Sequence, residues 1–525
     1  MTVLELVRET PPPVVTPPRK DRTDFTIAVG LTTLVLALLA WNITGFPTAS
    51  DDEGTYLAQA WAVQNGQGLA HYTYWYDHPP LAWIQLAAFS WLPAWVAPSL
   101  LAVAAGRIAM LPLQAAGLLL VYVVGRRIGL PRWAAAVGLL TYGLSPLFLT
   151  MGRQIYLDSF AVVWILAALA LALSPRKHLW HYAAAGAAAA IGVLSKETIL
   201  VILPAVLVAM WQNTARSTTR PWAFGAFASG LVLVGCFYPL YALLRGELFP
   251  GEGHVSLFGA IQFQLGSRSG SGSIFAAGSG ANELLHSWLY YDSVLLVAGS
   301  VATVAGLFLR RLRPVTVAGA ILIAVALRPG GYLPAMYVVQ VLPFFAIAIA
   351  GVLAFVFARI SAWGKPAPDA TGSTGARARR WATPAAAALA LVLVAVVVAP
   401  RWYIGDRRAL TANDNAAYVE AAHYLRAQPP STVVVDDVLW LDCVNAGYPS
   451  DRVIWFYKLD LDSEVAARLP GGWRDVDYIV STPAVRQDPG TLPTVTALLR
   501  NSTVIASFGP ADGLIEIRRV NKESA

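Results

Sequence analysis

The stretch FTIAVGLTTLVLALLAWNITGF, residues 25–46, followed at once by Asp51-Asp52-Glu53, decides the class of this chain. An uncharged apolar run of that length is enough to cross a hydrocarbon core of about 30 Å as a helix. Three adjacent carboxylates at the mouth of such a helix are costly to desolvate, so they mark a site rather than scaffold. The whole chain has the same character: 56% of its 525 residues are hydrophobic, 13% are charged, and the mean hydropathy is +0.55. Soluble domains carry roughly a quarter charged residues.

Apolar runs recur at 27–46, 100–124, 132–150, 159–174, 178–194, 197–212, 222–244, 288–309, 314–328, 336–358 and 382–400, which predicts about eleven membrane helices. No alternating pattern points to a barrel. The first run is long and follows some twenty polar, Pro-rich residues, so it reads as a retained span and not a cleaved leader. With the N-terminus cytoplasmic, 19 of the 25 Lys and Arg residues before position 401 fall on the cytoplasmic side, and 10 of the 15 acids fall outside. This asymmetry orients the chain. The net charge of +7 belongs to that bias, because the tail from 401 holds 13 basic and 16 acidic residues. The basicity therefore does not indicate nucleic acid.

Four parts follow. Residues 1–24 read as a disordered cytoplasmic arm, 25–400 as the membrane domain, and 401–525 as an extracytoplasmic soluble α/β domain. Within the membrane domain, 47–99 is a first outward loop with interfacial helices, Trp61 serving as an anchor, and 245–287 is a long outward loop. Lys365 to Arg380 reads as a flexible cytoplasmic loop. In the tail, strands are predicted at 432–436, 452–455, 478–482, 503–507 and 514–517, with helices at 416–428 and 494–500. Cys236 and Cys443 are too few and too far apart in kind of segment for a disulfide or a cysteine-metal centre. Ala-rich spans without disulfides favour a bacterial plasma membrane.

Polar residues gather at the outward helix ends. They are Asp52 and Glu53, then Tyr76-Asp77-His78-Pro79-Pro80, then Arg153 to Asp158, then Lys196-Glu197. Tyr332 and Tyr337 precede the tenth span, and the long loop carries His254. Arginine and lysine in such a setting suit a phosphate, and carboxylates suit proton transfer. Read singly, Arg153/Asp158 and Lys196/Glu197 serve equally well as ion pairs holding helix ends together.

This order of residues resembles the GT-C membrane glycosyltransferases over about residues 25–360. The likeness is to the branch containing the protein O-mannosyltransferases and the lipid A aminoarabinose transferase. The resemblance implies a sugar donor carried on polyprenyl phosphate and transfer with inversion. It makes Asp52 the general base on the acceptor hydroxyl, Glu53 its helper and Asp158 the second acid. It makes Arg153 and Lys196 contacts to the donor phosphate, with His78, Glu197 and one of Tyr332 and Tyr337 beside them. Some relatives hold a divalent cation, for which Asp77 and His254 are the candidates here. The His-Pro-Pro form is closer to the mannosyltransferase side, whereas a tail placed after the spans departs from it. The acceptor stays open among lipid, cell-wall glycan and protein. A transporter and a non-catalytic envelope-assembly scaffold are the alternatives. A transporter would place its charges near the midplane, and a scaffold has no need of the acid cluster.

Overall fold

The computed structural model describes residues 22–214, 219–363, 384–390, 392–487 and 490–522. The arm up to residue 21 and the Lys365–Arg380 loop lie outside the described residues. The helices are α1 (Thr23–Ala40), α2 (Asp51–Gln64), α3 (Leu81–Ala87), α4 (Trp91–Val96), α5 (Ala102–Arg127), α6 (Arg132–Gly143), α7 (Pro146–Met151) and α8 (Leu157–Ala172). They continue as α9 (Leu179–Ser195), α10 (Leu203–Asn213), α11 (Thr219–Gly235), α12 (Phe237–Leu244), α13 (Leu257–Gln262), α14 (Gly280–Leu307), α15 (Arg313–Ala326) and α16 (Val338–Trp363). Five stretches are long and apolar enough to cross a membrane: Thr23–Ala40, Ala102–Arg127, Thr219–Leu244, Gly280–Leu307 and Ala335–Ala362. Shorter apolar helices pack between them, among them α8, α9 and α15. The protein is a multi-pass membrane protein.

Small residues set the helix spacing. A Cβ on Gly186 of α9 would stand 2.0 Å from the Phe227 carbonyl oxygen, and one on Gly230 of α11 would stand 2.1 Å from that of Ala183. Only glycine lets these two backbones touch, and close approach is what holds helices together in lipid. Two expected boundaries are corrected. The run 132–150 is not one helix: it breaks at Leu144-Ser145 and restarts at Pro146, which occupies a first-turn position. The long outward loop ends at Ser279, because that side chain accepts from the Asn282 amide at 3.2 Å and starts α14. The loop itself is partly helical, through α13 and the π turn at Phe263–Ser267.

The tail forms a five-stranded sheet, β1 (Val433–Val435), β2 (Val453–Trp455), β3 (Tyr478–Ser481), β4 (Ser502–Phe508) and β5 (Ile515–Val520), in the order β2-β1-β3-β5-β4. The first three strands are parallel and β5 and β4 antiparallel. Helices Ala416–Arg426 and Pro493–Arg500 fall where the pattern predicts them, whereas helix Asp437–Asn445 was not foreseen.

The core of this unit runs on into the first outward loop. Its strand residues Val433, Val434 and Ile479 share one buried cluster with Tyr56, Leu57, Trp83 and Leu86 of the first outward loop. Gly54 of α2 lies so close to helix Asp437–Asn445 that a Cβ would meet the Asp437 carbonyl oxygen at 2.1 Å. Thr55 donates to Asp437 at 2.9 Å, and Asp442 accepts the Ala102 amide at the start of α5 at 3.0 Å. Asn415 stitches the same junction, accepting from the Ala49 amide and donating to the Thr44 and Pro47 carbonyls. Trp61 is accordingly no membrane anchor: its ring packs edge-on against Trp440 at 5.2 Å. Trp91 and Trp95 of α4 are the exposed tryptophans of this loop's second half.

Gly54→Ala is expected to force this junction apart at an overpacking cost of about 1–3 kcal/mol. The measurement is a thermal melt in detergent together with limited proteolysis between residues 411 and 416. The expected outcome is a lowered melting temperature and faster cleavage there. Gly66→Ala, at a position open to solvent with φ +69°, would strain only its own turn and leave that cleavage unchanged.

Candidate active site

Helix α2 starts at Ser50, where the sequence turns from an apolar run to three acids. Glu53 is fully buried and accepts the Ser50 amide at 3.1 Å, a capping arrangement that satisfies an otherwise orphaned donor. It also accepts from the Ile155 amide at 3.1 Å and from Arg107 Nε and Nη2 at 2.8 and 2.7 Å. Arg107, 1% exposed, donates further to the Pro47 carbonyl at 2.7 Å. The acid triad thus splits: Glu53 points into the fold, Asp51 reaches solvent, and Asp52 stands half-buried between them.

Around Asp52 the structure gathers groups from three further segments. The Lys196 Nζ lies 3.0 Å from His78 Nε2, and His78 Nδ1 lies 3.1 Å from Glu197 Oε2. An ammonium can only donate and a carboxylate can only accept, so the imidazole carries its proton on Nδ1. Lys196 is 3% exposed, where it caps the end of α9. Asp158, 1% exposed in the first turn of α8, accepts from Gln340 at 2.6 Å. Gln340 also donates to Thr198 at 2.6 Å, and its Oε1 is buried without a hydrogen-bond partner. Lys196 and His78 lie within electrostatic reach of both Asp52 and Asp158. Burial pushes the Asp52 carboxyl above its ordinary range, and Lys196 and His78 pull it back. A carboxylate so placed holds a proton more readily than a free aspartate, which suits a base.

Asp77 and His78 are presented by a strained turn. Tyr76 has φ 58°, a conformation that costs a bulky residue about 1–3 kcal/mol. Its hydroxyl donates to Glu247 at 2.5 Å and its ring packs against Tyr74 and Tyr238, so the surroundings fix it.

Other expected site residues sit elsewhere. Arg153 is fully buried, and its guanidinium donates to the carbonyls of Leu39, Ala409, Leu38 and Trp41 at 2.7–3.0 Å. Those bonds tie α7, α1 and helix Ala399–Thr411 together. Tyr337 is buried beside Asp158, with its hydroxyl donating to the Leu322 carbonyl at 3.3 Å. Tyr332 instead lies under the Arg268 guanidinium, 3.4 Å from the ring centre, and lines an open cleft of about 610 Å³ with Ser271 and Glu283. His254 is exposed and bonds the Val255 carbonyl. Among the described residues no group of three His, Cys, Asp or Glu side chains stands ready for a metal. The sequence pattern gives no site role to Arg107, Gln340 or Asp437, three buried polar groups here. A glutamine inside the apolar run Val338-Val339-Gln340-Val341-Leu342 is the feature that marks the second.

Two outcomes follow from these contacts. Glu53→Ala leaves Arg107 buried and uncompensated, which costs about 3–5 kcal/mol. The expected result is a chain that fails to hold its fold in a detergent melt, with Glu53→Ala/Arg107→Met restoring part of the loss. Asp51, exposed on one side and crowded by the tail on the other, has its carboxyl pushed up to about 7, first by desolvation and then by Asp436 and Asp52. A raised value in the folded state means that its stabilising contribution is whole below the ordinary 3.8 and is lost as pH rises through about 7. Melting temperature is expected to fall between about pH 4 and 7 and to level off above. Asp51→Asn should flatten that fall, and Asp442, also pushed up to about 7, should keep the remainder.

Residues 77–239 match the family model described as dolichyl-phosphate-mannose-protein mannosyltransferase. That span contains His78, Arg153, Asp158, Lys196 and Glu197 and leaves Asp52 outside. No curated protein sequence matches the chain. The fold is similar to that of ArnT from Cupriavidus metallidurans solved bound to undecaprenyl phosphate, with a TM-score of 0.58 and 16% identity over 96% of this chain and 99% of that one. The apo structure of the same protein gives 0.57 and 16%, over 94% and 98%. The S. cerevisiae Pmt1-Pmt2 complex bound to its sugar donor matches over 44% of this chain and 35% of that chain, at 17% identity and a TM-score of 0.34, too low to carry weight. A mannosyltransferase family match over residues 77–239, across the polar helix mouths, thus sits within a fold similar to that of ArnT along nearly the whole chain.

Proposed function

We propose that the protein moves a sugar from a polyprenyl-phosphate donor to an acceptor hydroxyl outside a bacterial plasma membrane, with inversion at the anomeric carbon. The observation that carries this reading is the meeting of Asp52, His78, Asp158 and Lys196 from four separate segments at one mouth of the helix bundle. The undecaprenyl phosphate bound by ArnT supports the donor class. The bias of basic residues supports a cytoplasmic N-terminus and an outward tail.

In the proposed reaction Asp52 takes the proton of the acceptor hydroxyl as its oxygen bonds the anomeric carbon. The bond from that carbon to the phosphate oxygen breaks, and the polyprenyl phosphate leaves with the electron pair. Lys196 supplies the positive charge that the departing phosphate needs, in a low-dielectric setting where one such contact is effective. His78 and Glu197 hold the ammonium in place and so act as positioning residues. Asp158, tied to Gln340, is placed to orient the sugar. Arg153 and Glu53 hold the fold around these groups and are given no substrate contact.

Purified protein in nanodiscs should release polyprenyl phosphate from one of a panel of polyprenyl-phosphate sugars when envelope acceptors are present. Asp52→Asn should lower kcat by about 10²–10⁴-fold with donor affinity preserved. Lys196→Met should weaken donor binding as well. Equal turnover by wild type and a folded Asp52→Asn would refute Asp52 as the base.

A further inference from the structure

We propose that Trp75, backed by Lys458 of the tail, is the acceptor subsite and that the acceptor it takes is a sugar ring of a glycan; this rests on the transferase reading above.

The position comes first. Trp75 stands two residues before Asp77, so their Cα atoms lie within about 7 Å of each other, and Asp77 lies within electrostatic reach of both Asp52 and Lys458. A group held on Trp75 is therefore beside the base, on the outward side. The ring itself is built for stacking. The Lys458 Nζ covers one face at 3.5 Å from the ring centre, while 37% of Trp75 remains exposed. A sugar presents a face of C–H bonds that packs on an aromatic ring, with hydroxyls at its rim for carboxylates such as the exposed Asp77.

Lys458 needs an explanation of its own. It is 3% exposed, and burying an ammonium is costly unless it is paired. Asp462 pairs with it at 3.5 Å, and the same Asp462 accepts from the Thr73 amide and hydroxyl at 3.3 and 3.1 Å. The lysine and its aspartate thus clamp the strip of chain that carries Trp75. Tyr72 donates to the Val453 carbonyl at 2.8 Å and His71 bonds the Ser450 carbonyl at 3.0 Å. These ties hold Trp75 to the tail. That distinguishes it from Trp91 and Trp95, which stand exposed on the short apolar helix α4. A headgroup anchor has no use for a cation locked against its face by a second segment.

The test uses the full chain in nanodiscs and neutral hexasaccharides of glucose, mannose, galactose, arabinose and N-acetylglucosamine. Saturation-transfer NMR is expected to show contact between wild type and at least one of them. Trp75→Ala should weaken that binding by about tenfold or more, and Trp75→Phe should return it to within about threefold. Lys458→Met should give an intermediate loss. With a donor that turns over, Trp75→Ala should raise the acceptor KM by the same factor while kcat and donor KM stay within about threefold. If no donor turns over but Trp75-dependent binding is seen, the glycan subsite stands and the transferase reading falls. Absence of hexasaccharide contact, unchanged binding in Trp75→Ala, or a Trp75→Ala effect confined to membrane partition would overturn the proposal.

Discussion

Arg107 and Glu53, both sealed from solvent and joined by two charge-assisted hydrogen bonds, fix the helix that carries Asp52. Each partner alone would be a buried charge without compensation, so the pair specifies one register of α2 against α5 and tolerates no other. From that register the rest follows. Asp52 is turned toward the mouth of the bundle, where His78, Lys196 and Asp158 arrive from three other segments. Arg153 performs a similar service one layer deeper, binding four carbonyls from two helix ends and the turn after α1.

The second constraint comes from above. The tail shares its hydrophobic cluster with the first outward loop, and its helix Asp437–Asn445 rests on Gly54 at a distance that admits no side chain. Burial raises the carboxyl of Asp436 and pushes that of Asp437 well above its ordinary range, and Asp51 adds to this at Asp437. The seam between tail and membrane part therefore tightens when protons are present. A unit whose core runs on into α2 is expected to open and close together with it.

Much of this was legible in the sequence, and the exceptions have physical causes. The spans showed because lipid imposes long apolar runs, and the strands at 433–435, 453–455 and 478–481 showed because buried parallel strands read as β-branched runs. A short helix around Trp61 in the first outward loop also showed, as α2. Helix Asp437–Asn445 stayed hidden because Asp436-Asp437 reads equally as a solvated turn, and only the docking of α2 shows its use. Trp61 was misplaced for a related reason: an aromatic on a short amphipathic helix suits a headgroup layer and a protein roof alike. Arg153 and Lys196 look alike as outward cations, yet one spends its donors on carbonyls and the other faces the acids. Spacing along the chain cannot separate those fates, because the carbonyls that claim Arg153 lie more than a hundred residues away.

The claim that α2 and the tail are one unit is tested most directly by hydrogen exchange on the intact chain. The account predicts that amides of residues 54–64 and 438–445 open together, with the same free energy and the same dependence on denaturant. Tail amides that exchange readily while α2 stays protected would contradict it, and would make the tail an independent domain resting on a self-sufficient site.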